Sequence, residues 1–282
     1  MGLLQRLEDS NKREVILKVE NLSTHFNLGA GLFASSKEKV KALDDVSFGL
    51  YKGENFGIVG ESGSGKTTLA KTIASIFKKS GGSYTIYDKE SPFVLSYVFQ
   101  DPASSLNPRM SVYDLLTHGY KYGVKKHAKS LPKVERRDLL STLKKSELVK
   151  KATEVLESVG LDESALSRRS SDFSGGQRQR ISLARALMFR PSILICDEVV
   201  SALDLLVQAQ ILNLLVKLKK QYQFSMIFIA HDLAVVSYIC DRVAVMHKGK
   251  IIEIRSAYDI VNNPKESYTK ELYQAIPKLN LK

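Results

Sequence analysis

Cysteine is scarce: Cys196 and Cys240 are the only two in 282 residues, far apart and in apolar surroundings. That excludes a disulfide framework or a cysteine-built metal site and predicts two small core residues. No run of about 18 apolar residues occurs, so no segment is expected to span a bilayer. The opening Met1-Gly2-Leu3-Leu4-Gln5-Arg6 lacks the long apolar stretch and small-residue cleavage site of a secretory signal. A cytosolic chain is expected. Acidic residues are few beside basic ones, 30 against 42, for a formal net charge of +12. Such an excess suits nucleic acid or an anionic membrane surface. It concentrates between Lys121 and Lys151, where only Glu135, Asp138 and Glu147 oppose it. Tyr122 is the one interleaved aromatic, which argues against a stacking platform for single strands. A solvated helical face and a membrane- or partner-facing patch both stay open. The hydrophobic share of 44% is ordinary for a globular chain, and the length suits one large domain or two small ones.

What is present begins with Gly60-Glu61-Ser62-Gly63-Ser64-Gly65-Lys66-Thr67, which fits the phosphate-loop pattern at every fixed position. Asn55 to Val59 before it reads as a short buried strand, and Thr68 to Ala74 after it as the start of a helix. A strand turning sharply into a helix aims successive backbone N–H groups at one point, where the helix N-terminus adds partial positive charge. Glycines let the main chain wrap a phosphate without Cβ clashes. Lys66 then reaches the β- and γ-phosphates, and the Thr67 hydroxyl holds Mg²⁺. A glycine-rich turn with a chance lysine would not explain strand, loop and helix in this order. A nucleoside triphosphate is the expected ligand.

Around this loop, Val15 to Val19 and Val46 to Tyr51 read as strands, separated by a flexible piece from Gly29 to Lys39. The helix after the loop is expected to end at Gly81-Gly82. Tyr84 to Tyr87 and Val94 to Phe99 follow as strands, with a turn at Lys89 to Pro92. From Asp101 to about Asp172 strand runs vanish and helical spacing dominates, as in Val112, Leu115, Leu116 and in Ala152, Val155, Leu156, Val159. This predicts a helical insertion in an α/β core. Helix Gly176 to Phe189 then leads to strand Ile193 to Cys196, and helix Leu205 to Gln221 to strand Met226 to Ile229. That alternation implies a parallel sheet covered on both faces. Val243 to Met246 and Ile251 to Ile254 flank Lys248-Gly249 as a hairpin, and a polar helical tail follows.

Two further segments carry chemistry. Asp197 and Glu198 emerge at the end of the Ile193–Cys196 strand, the edge where open α/β sheets bind ligands. Asp197 is placed to hold Mg²⁺ and Glu198 to orient or deprotonate the attacking water; taken alone, the two acids could simply cap the next helix. In Phe173-Ser174-Gly175-Gly176-Gln177, Ser174 is expected to be an N-cap, and both glycines permit close approach of backbone to an anion.

A phosphate loop, a Ser-Gly-Gly-Gln segment and an Asp-Glu strand end about twenty residues later resemble an ATP-binding-cassette (ABC) ATPase. Gln100 after Val98-Phe99 matches that family's Q-loop glutamine, Ser201 to Asp204 its D-loop, and His231 its switch histidine. The resemblance runs from about residue 15 to 260. It implies a P-loop NTPase (RecA-like) α/β core with an antiparallel β subdomain and an inserted helical subdomain at about 101–172. It implies ATP and Mg²⁺, with Gly60 to Thr68, Gln100 and Asp204 around the nucleotide, Phe26 against adenine, and Thr67, Gln100 and Asp197 at the metal. Glu198, His231 and Lys66 would carry the chemistry. Two cassettes would pair head to tail, each ATP lying between Lys66 of one and the partner's Ser174, Gly175, Gly176 and Gln177.

Gln100 to Met110 and the tail from Asn263 to Pro277 resemble the oligopeptide, dipeptide and nickel permease branch. The insertion ahead of Lys41 to Asp44 resembles that of its second ATPase, and residues 261–282 would form the branch's C-terminal tail. The resemblance implies a related partner ATPase, two membrane-spanning permease subunits and an extracytoplasmic binding protein, with this chain peripheral on the cytoplasmic membrane face and no nucleic acid partner. Nickel or a metal chelate as cargo stays open. So does a cassette working on DNA or the ribosome, although no tandem cassette, zinc cysteines or long coiled coil supports it. The chain departs from the family at Val199-Val200, where Pro-Thr is usual, and in a shortened Gly81–Gln100 stretch. It lacks the extra tail cysteines of some relatives, so no iron–sulfur cluster is expected.

Overall fold

A computed structural model describes residues 13–27, 39–88 and 93–274. In chain order the strands are β1 Val15–Asn27, β2 Lys39–Tyr51, β3 Asn55–Val59, β4 Gly81–Ile86, β5 Leu95–Val98, β6 Ile193–Asp197, β7 Ser225–Ala230, β8 Arg242–His247 and β9 Lys250–Ser256. The α-helices are α1 Lys66–Ile73, α2 Pro102–Ser105, α3 Val112–Ala128, α4 Lys133–Ser141, α5 Lys145–Ser158, α6 Gly175–Leu187, α7 Leu205–Tyr222, α8 Leu233–Ile239, α9 Ala257–Asn262 and α10 Ser267–Gln274. The chain divides into two compact units, one holding everything up to Asp88 and from Ser225 onward, the other Lys89–Phe224.

In the first unit β3 lies parallel to β7 and β8, and β8 turns into antiparallel β9. Every residue of β3 and β7 is buried. Parallel strands covered on both faces need side chains apolar on both sides, which is why these runs do not alternate. A separate antiparallel sheet, ordered β2-β1-β4, belongs to the same unit. Phe48 of β2 stacks on Phe56 of β3, ring centroids 4.9 Å apart. Below this stack, Arg242 pairs with Glu54, Nη1 to Oε1 3.1 Å, the Glu54 side chain only 2% exposed.

The helix after the phosphate loop does not reach Gly81-Gly82. It ends at Ile73, and the Ile76 and Phe77 N–H groups turn back onto the Lys71 carbonyl. Ser75, just before them, takes a left-handed conformation, φ 57°. The glycine pair instead opens β4. Residues 28–38 and 89–92, expected as a flexible piece and a turn, lie outside the described residues, as do Ala275 to Pro277 of the tail motif.

In the second unit β5 and β6 run parallel, Val98 beside Cys196. Most of the rest is helical. Leu115, Leu116, Tyr120 and Val124 of α3 and Leu148, Ala152, Val155 and Leu156 of α5 are buried at the spacing of one apolar helix stripe. Helix α4 buries none of its residues. Part of the basic run has local work. Arg136 donates to the Ala128, Lys129 and Leu131 carbonyls at the end of α3, and the Lys151 ammonium lies 4.1 Å from the Tyr120 ring centre. Both cysteines are buried and neither forms a disulfide. Among the described residues no helix is long and apolar enough to cross a membrane.

Candidate functional site

The phosphate loop leaves the carboxyl end of β3 between residues of two kinds. Glu61, Ser62 and Gly63 are exposed, whereas Gly60, Ser64 and Lys66 are buried. Gly65 occupies the N-cap position of α1 at φ 106° and offers no side-chain cap, which leaves the first-turn N–H groups to a ligand. A Cβ at Gly65 would stand 2.5 Å from the Ala42 carbonyl oxygen, so only glycine fits both the angle and the space. The Lys66 ammonium donates to the Gly60 and Glu61 carbonyls at 2.7 and 2.8 Å, which aims the buried side chain along the loop. Ser64 Oγ is buried and finds no hydrogen-bond partner among the described residues.

Two parts of the same unit bracket the loop. The Gly249 N–H, in the β8–β9 turn, donates to the Ser64 carbonyl at 2.9 Å. The Glu61 N–H donates to the Tyr268 hydroxyl at 3.2 Å. Val59 and Ala230 are register partners on parallel strands, so Gly60 and His231 leave the sheet at the same edge. His231 is exposed there. Phe26 is 38% exposed and meets Phe77 edge to face at 5.3 Å. Thr67 and Thr68 lie in the first turn of α1, both partly exposed.

The second unit repeats this logic. Register partners Val98 and Cys196 bring Gln100, Asp197 and Glu198 to one edge of the β5–β6 pair. Gln100 Nε2 donates to Glu198 Oε2 at 2.9 Å. Glu198 adopts a left-handed backbone, φ 48°, uncommon outside glycine and asparagine. Ser201 closes that turn by donating its N–H and hydroxyl to the Glu198 carbonyl. Val199 and Val200, where the family has Pro-Thr, are buried inside it. The turn therefore holds without proline.

Asp197 is 1% exposed, and the Tyr97 hydroxyl donates to its Oδ2 at 2.6 Å. Burial, and then the Asp197 charge, push the Tyr97 phenol well above its ordinary value, so it stays a donor. The Cys196 thiol is likewise pushed up by burial and stays an inert core group. Tyr97 escaped sequence analysis because it reads as one more residue of an apolar strand.

Ser174 caps α6 and forms a capping box. Its hydroxyl accepts from the Gln177 N–H, and Gln177 Oε1 accepts from the Ser174 N–H at 3.0 Å. A Cβ at Gly176 would come within 2.7 Å of Val207 Cγ1, so this glycine lets the starts of α6 and α7 approach. A Cβ at Gly175 would meet Leu203 only at 4.0 Å, an ordinary contact. Asp204 caps α7 by accepting from the Val207 N–H at 3.0 Å. Ser174→Ala is expected to cost about 1 kcal/mol of stability through the lost cap, measured by chemical unfolding. An unchanged midpoint would deny the cap any energetic weight.

A family model described as ABC transporter matches residues 43–201, more than half of the chain. The chain is 39% identical over 276 residues to the oligopeptide transport ATP-binding protein OppF of Bacillus subtilis, covering 94% of this chain and 83% of that protein. To OppF of Haemophilus influenzae it is 40% identical over 281 residues, covering 95% and 80%. Among solved structures, an ATP-binding cassette of an ABC transporter superposes with a TM-score of 0.69 at 26% identity, covering 92% of this chain and 98% of that one. With the phosphate loop, the capped Ser-Gly-Gly-Gln helix and the Asp-Glu strand end each in place, the chain belongs to the ABC transporter family as one of its ATP-binding cassettes.

Proposed function

We propose that this cassette hydrolyses ATP to drive oligopeptide import through membrane-spanning permease subunits. The cargo assignment is carried by one observation, the 39% identity with an oligopeptide transport ATP-binding protein over 94% of the chain. We take residues 15–260 as the cassette and 261–282 as its tail. The working assembly pairs it head to tail with a related cassette on the cytoplasmic membrane face, beside two permease subunits and an extracytoplasmic binding protein.

Lys66 binds the β- and γ-phosphates, and the loop N–H groups hold them in a fixed cradle. Phe26 stacks on the adenine. Glu198 accepts a proton from the attacking water while Gln100 holds the carboxylate in place, and His231 contacts the γ-phosphate. Asp204 lies beside the nucleotide, and the partner's Ser174–Gln177 segment closes the pocket. The reaction is phosphoryl transfer to water, and positioning and charge do most of its work.

Thr67, Gln100 and Asp197 offer hydroxyl, amide and carboxylate oxygens, the hard donors that Mg²⁺ takes. Among the described residues no cluster of three or more His, Cys, Asp or Glu forms an all-protein metal cage. A cation that retains waters and substrate phosphates requires none. Mg²⁺, when held by these residues, would supply charge neutralisation on the phosphate oxygens. Tyr97 keeps the Asp197 carboxylate oriented toward that duty.

The test is assembly and transport. The full chain, expressed with its neighbouring genes, is expected to co-purify with two polytopic membrane proteins and to support ATP-dependent uptake of a labelled oligopeptide into proteoliposomes. Uptake of Ni²⁺ in place of peptide would overturn the cargo assignment. Co-purification with ribosomes or DNA would overturn transport itself.

A further inference from the structure

The tail beyond β9 does not trail away from the cassette. Glu253 of β9 accepts from the Lys265 N–H at 3.0 Å and the Glu266 N–H at 3.2 Å, which turns the chain back just before α10. Burial alone would raise the Glu253 carboxyl, but these N–H groups, the Thr269 hydroxyl and the Arg255 charge together hold it below its usual value. Arg255 donates to the Asn263 carbonyl in the same turn. Thr269, in the first turn of α10, is fully buried. The result is a short helix fastened at its base, with Tyr268 projecting from its first turn. The Tyr268 ring packs on His247 at the end of β8, centroids 4.1 Å apart. Its hydroxyl accepts from the backbone N–H of Glu61, the second residue of the phosphate loop.

From this geometry we infer that the C-terminal tail is a working part of the nucleotide site, with Tyr268 a positioning residue for the phosphate loop. The inference rests on the reading of Gly60–Thr67 as the ATP site. Glu61 is exposed and sits where the loop leaves β3; its carbonyl accepts from the Lys66 ammonium and the Ser64 N–H, and its own N–H is held by the Tyr268 hydroxyl. The Gly249 N–H fixes one limb of the loop at Ser64, and the Tyr268 hydroxyl fixes the other. Between these anchors lie Ser62 and Gly63, whose main chain must wrap a phosphate. A loop held at both limbs is set in its binding shape before ligand arrives, so less ordering entropy is lost on binding. His247 makes the contact directional, because the tilted ring contact restricts where the Tyr268 hydroxyl sits.

Tyr268→Phe keeps the ring contact with His247 and removes only the hydroxyl. In the full chain, titrated with MgATP, this variant is expected to bind about three- to tenfold more weakly, as the loss of one hydrogen bond implies. Steady-state hydrolysis is expected to show the change in KM, with kcat within about twofold. Tyr268→Ala, which also loses the ring contact, is expected to fall further in affinity. Lys66→Ala serves as the reference and is expected to abolish tight MgATP binding. A Tyr268→Phe protein with wild-type affinity would sink the proposal, and a lowered melting temperature beside that affinity would mark the tail as structural only. If Lys66→Ala retained wild-type affinity, the nucleotide-site reading itself would fall, and this inference with it.

Discussion

Glu198→Gln is expected to lower ATP turnover by about 10²–10⁴-fold, the usual contribution of a positioned general base, while leaving ATP binding intact. The substitution is unusually clean here. Gln has the same shape, its amide oxygen can still accept from Gln100 Nε2, now 2.9 Å from Glu198 Oε2, and the turn is closed by the main-chain carbonyl of residue 198. The left-handed backbone at this position asks the same of Gln as of Glu. What disappears is the negative charge proposed to take the water's proton. In free-energy terms this is about 3–5 kcal/mol on the barrier. A variant that binds MgATP but cannot cleave it should accumulate as a closed cassette pair, visible as a dimer in size-exclusion chromatography with MgATP. Turnover within about threefold of wild type would remove Glu198 from the catalytic role.

Arg242→Ala is expected to destabilise the fold by about 3–5 kcal/mol, because it strands a buried carboxylate. Glu54 is nearly inaccessible, and Arg242 both pairs with it and lies over the Tyr51 and Phe56 rings at 5.1 and 5.2 Å. The Tyr51 N–H remains as a donor to Glu54, too little to replace a guanidinium. The pH dependence has a definite sign. Burial already raises the Glu54 carboxyl above its ordinary value, and Arg242 is among the groups that oppose that rise. A raised folded value means that this group's stabilising contribution is complete below the unfolded carboxyl range and lost as pH climbs through the folded value. Removing Arg242 pushes the folded value higher, so the loss extends further up in pH. Denaturant unfolding should therefore show a larger deficit for Arg242→Ala at pH 8 than at pH 5. Adding Glu54→Gln, which keeps an acceptor for the Tyr51 N–H, should recover much of the deficit. A deficit independent of pH would mean that lost ring packing, rather than the stranded charge, sets the cost.

The two substitutions differ in how visible their sites are in the sequence. Glu198 follows a run of four apolar residues, and its neighbourhood is local: strand, acid pair, turn. The strands β3, β6 and β7 were legible for the same reason, since burial on both faces demands continuous apolar runs bounded by polar turns. Ser174 was legible as a cap because capping is settled within three residues. The end of α1 was not. Nothing near Ser75 marks a helix stop, and the left-handed turn there is held by bonds back to Lys71. The short helix α8 also carried no signal long enough to separate it from the loop after His231.

The chain by itself determined the phosphate loop, the order of the strands and the longer helices, and which side chains stand at strand ends. Those features depend on neighbours within a few residues, where spacing and apolar pattern act directly. Only the tertiary structure decided the partners of those side chains. Gln100 reaches Glu198 across 98 residues, Tyr97 reaches Asp197 across 100, Arg242 reaches Glu54 across 188, and Tyr268 reaches Glu61 across 207. Each of these is a polar contact whose geometry exists only after parallel strands are in register or the tail has folded back. No local periodicity encodes such a pairing, because the sequence between the partners serves to build the sheets and helices that carry them.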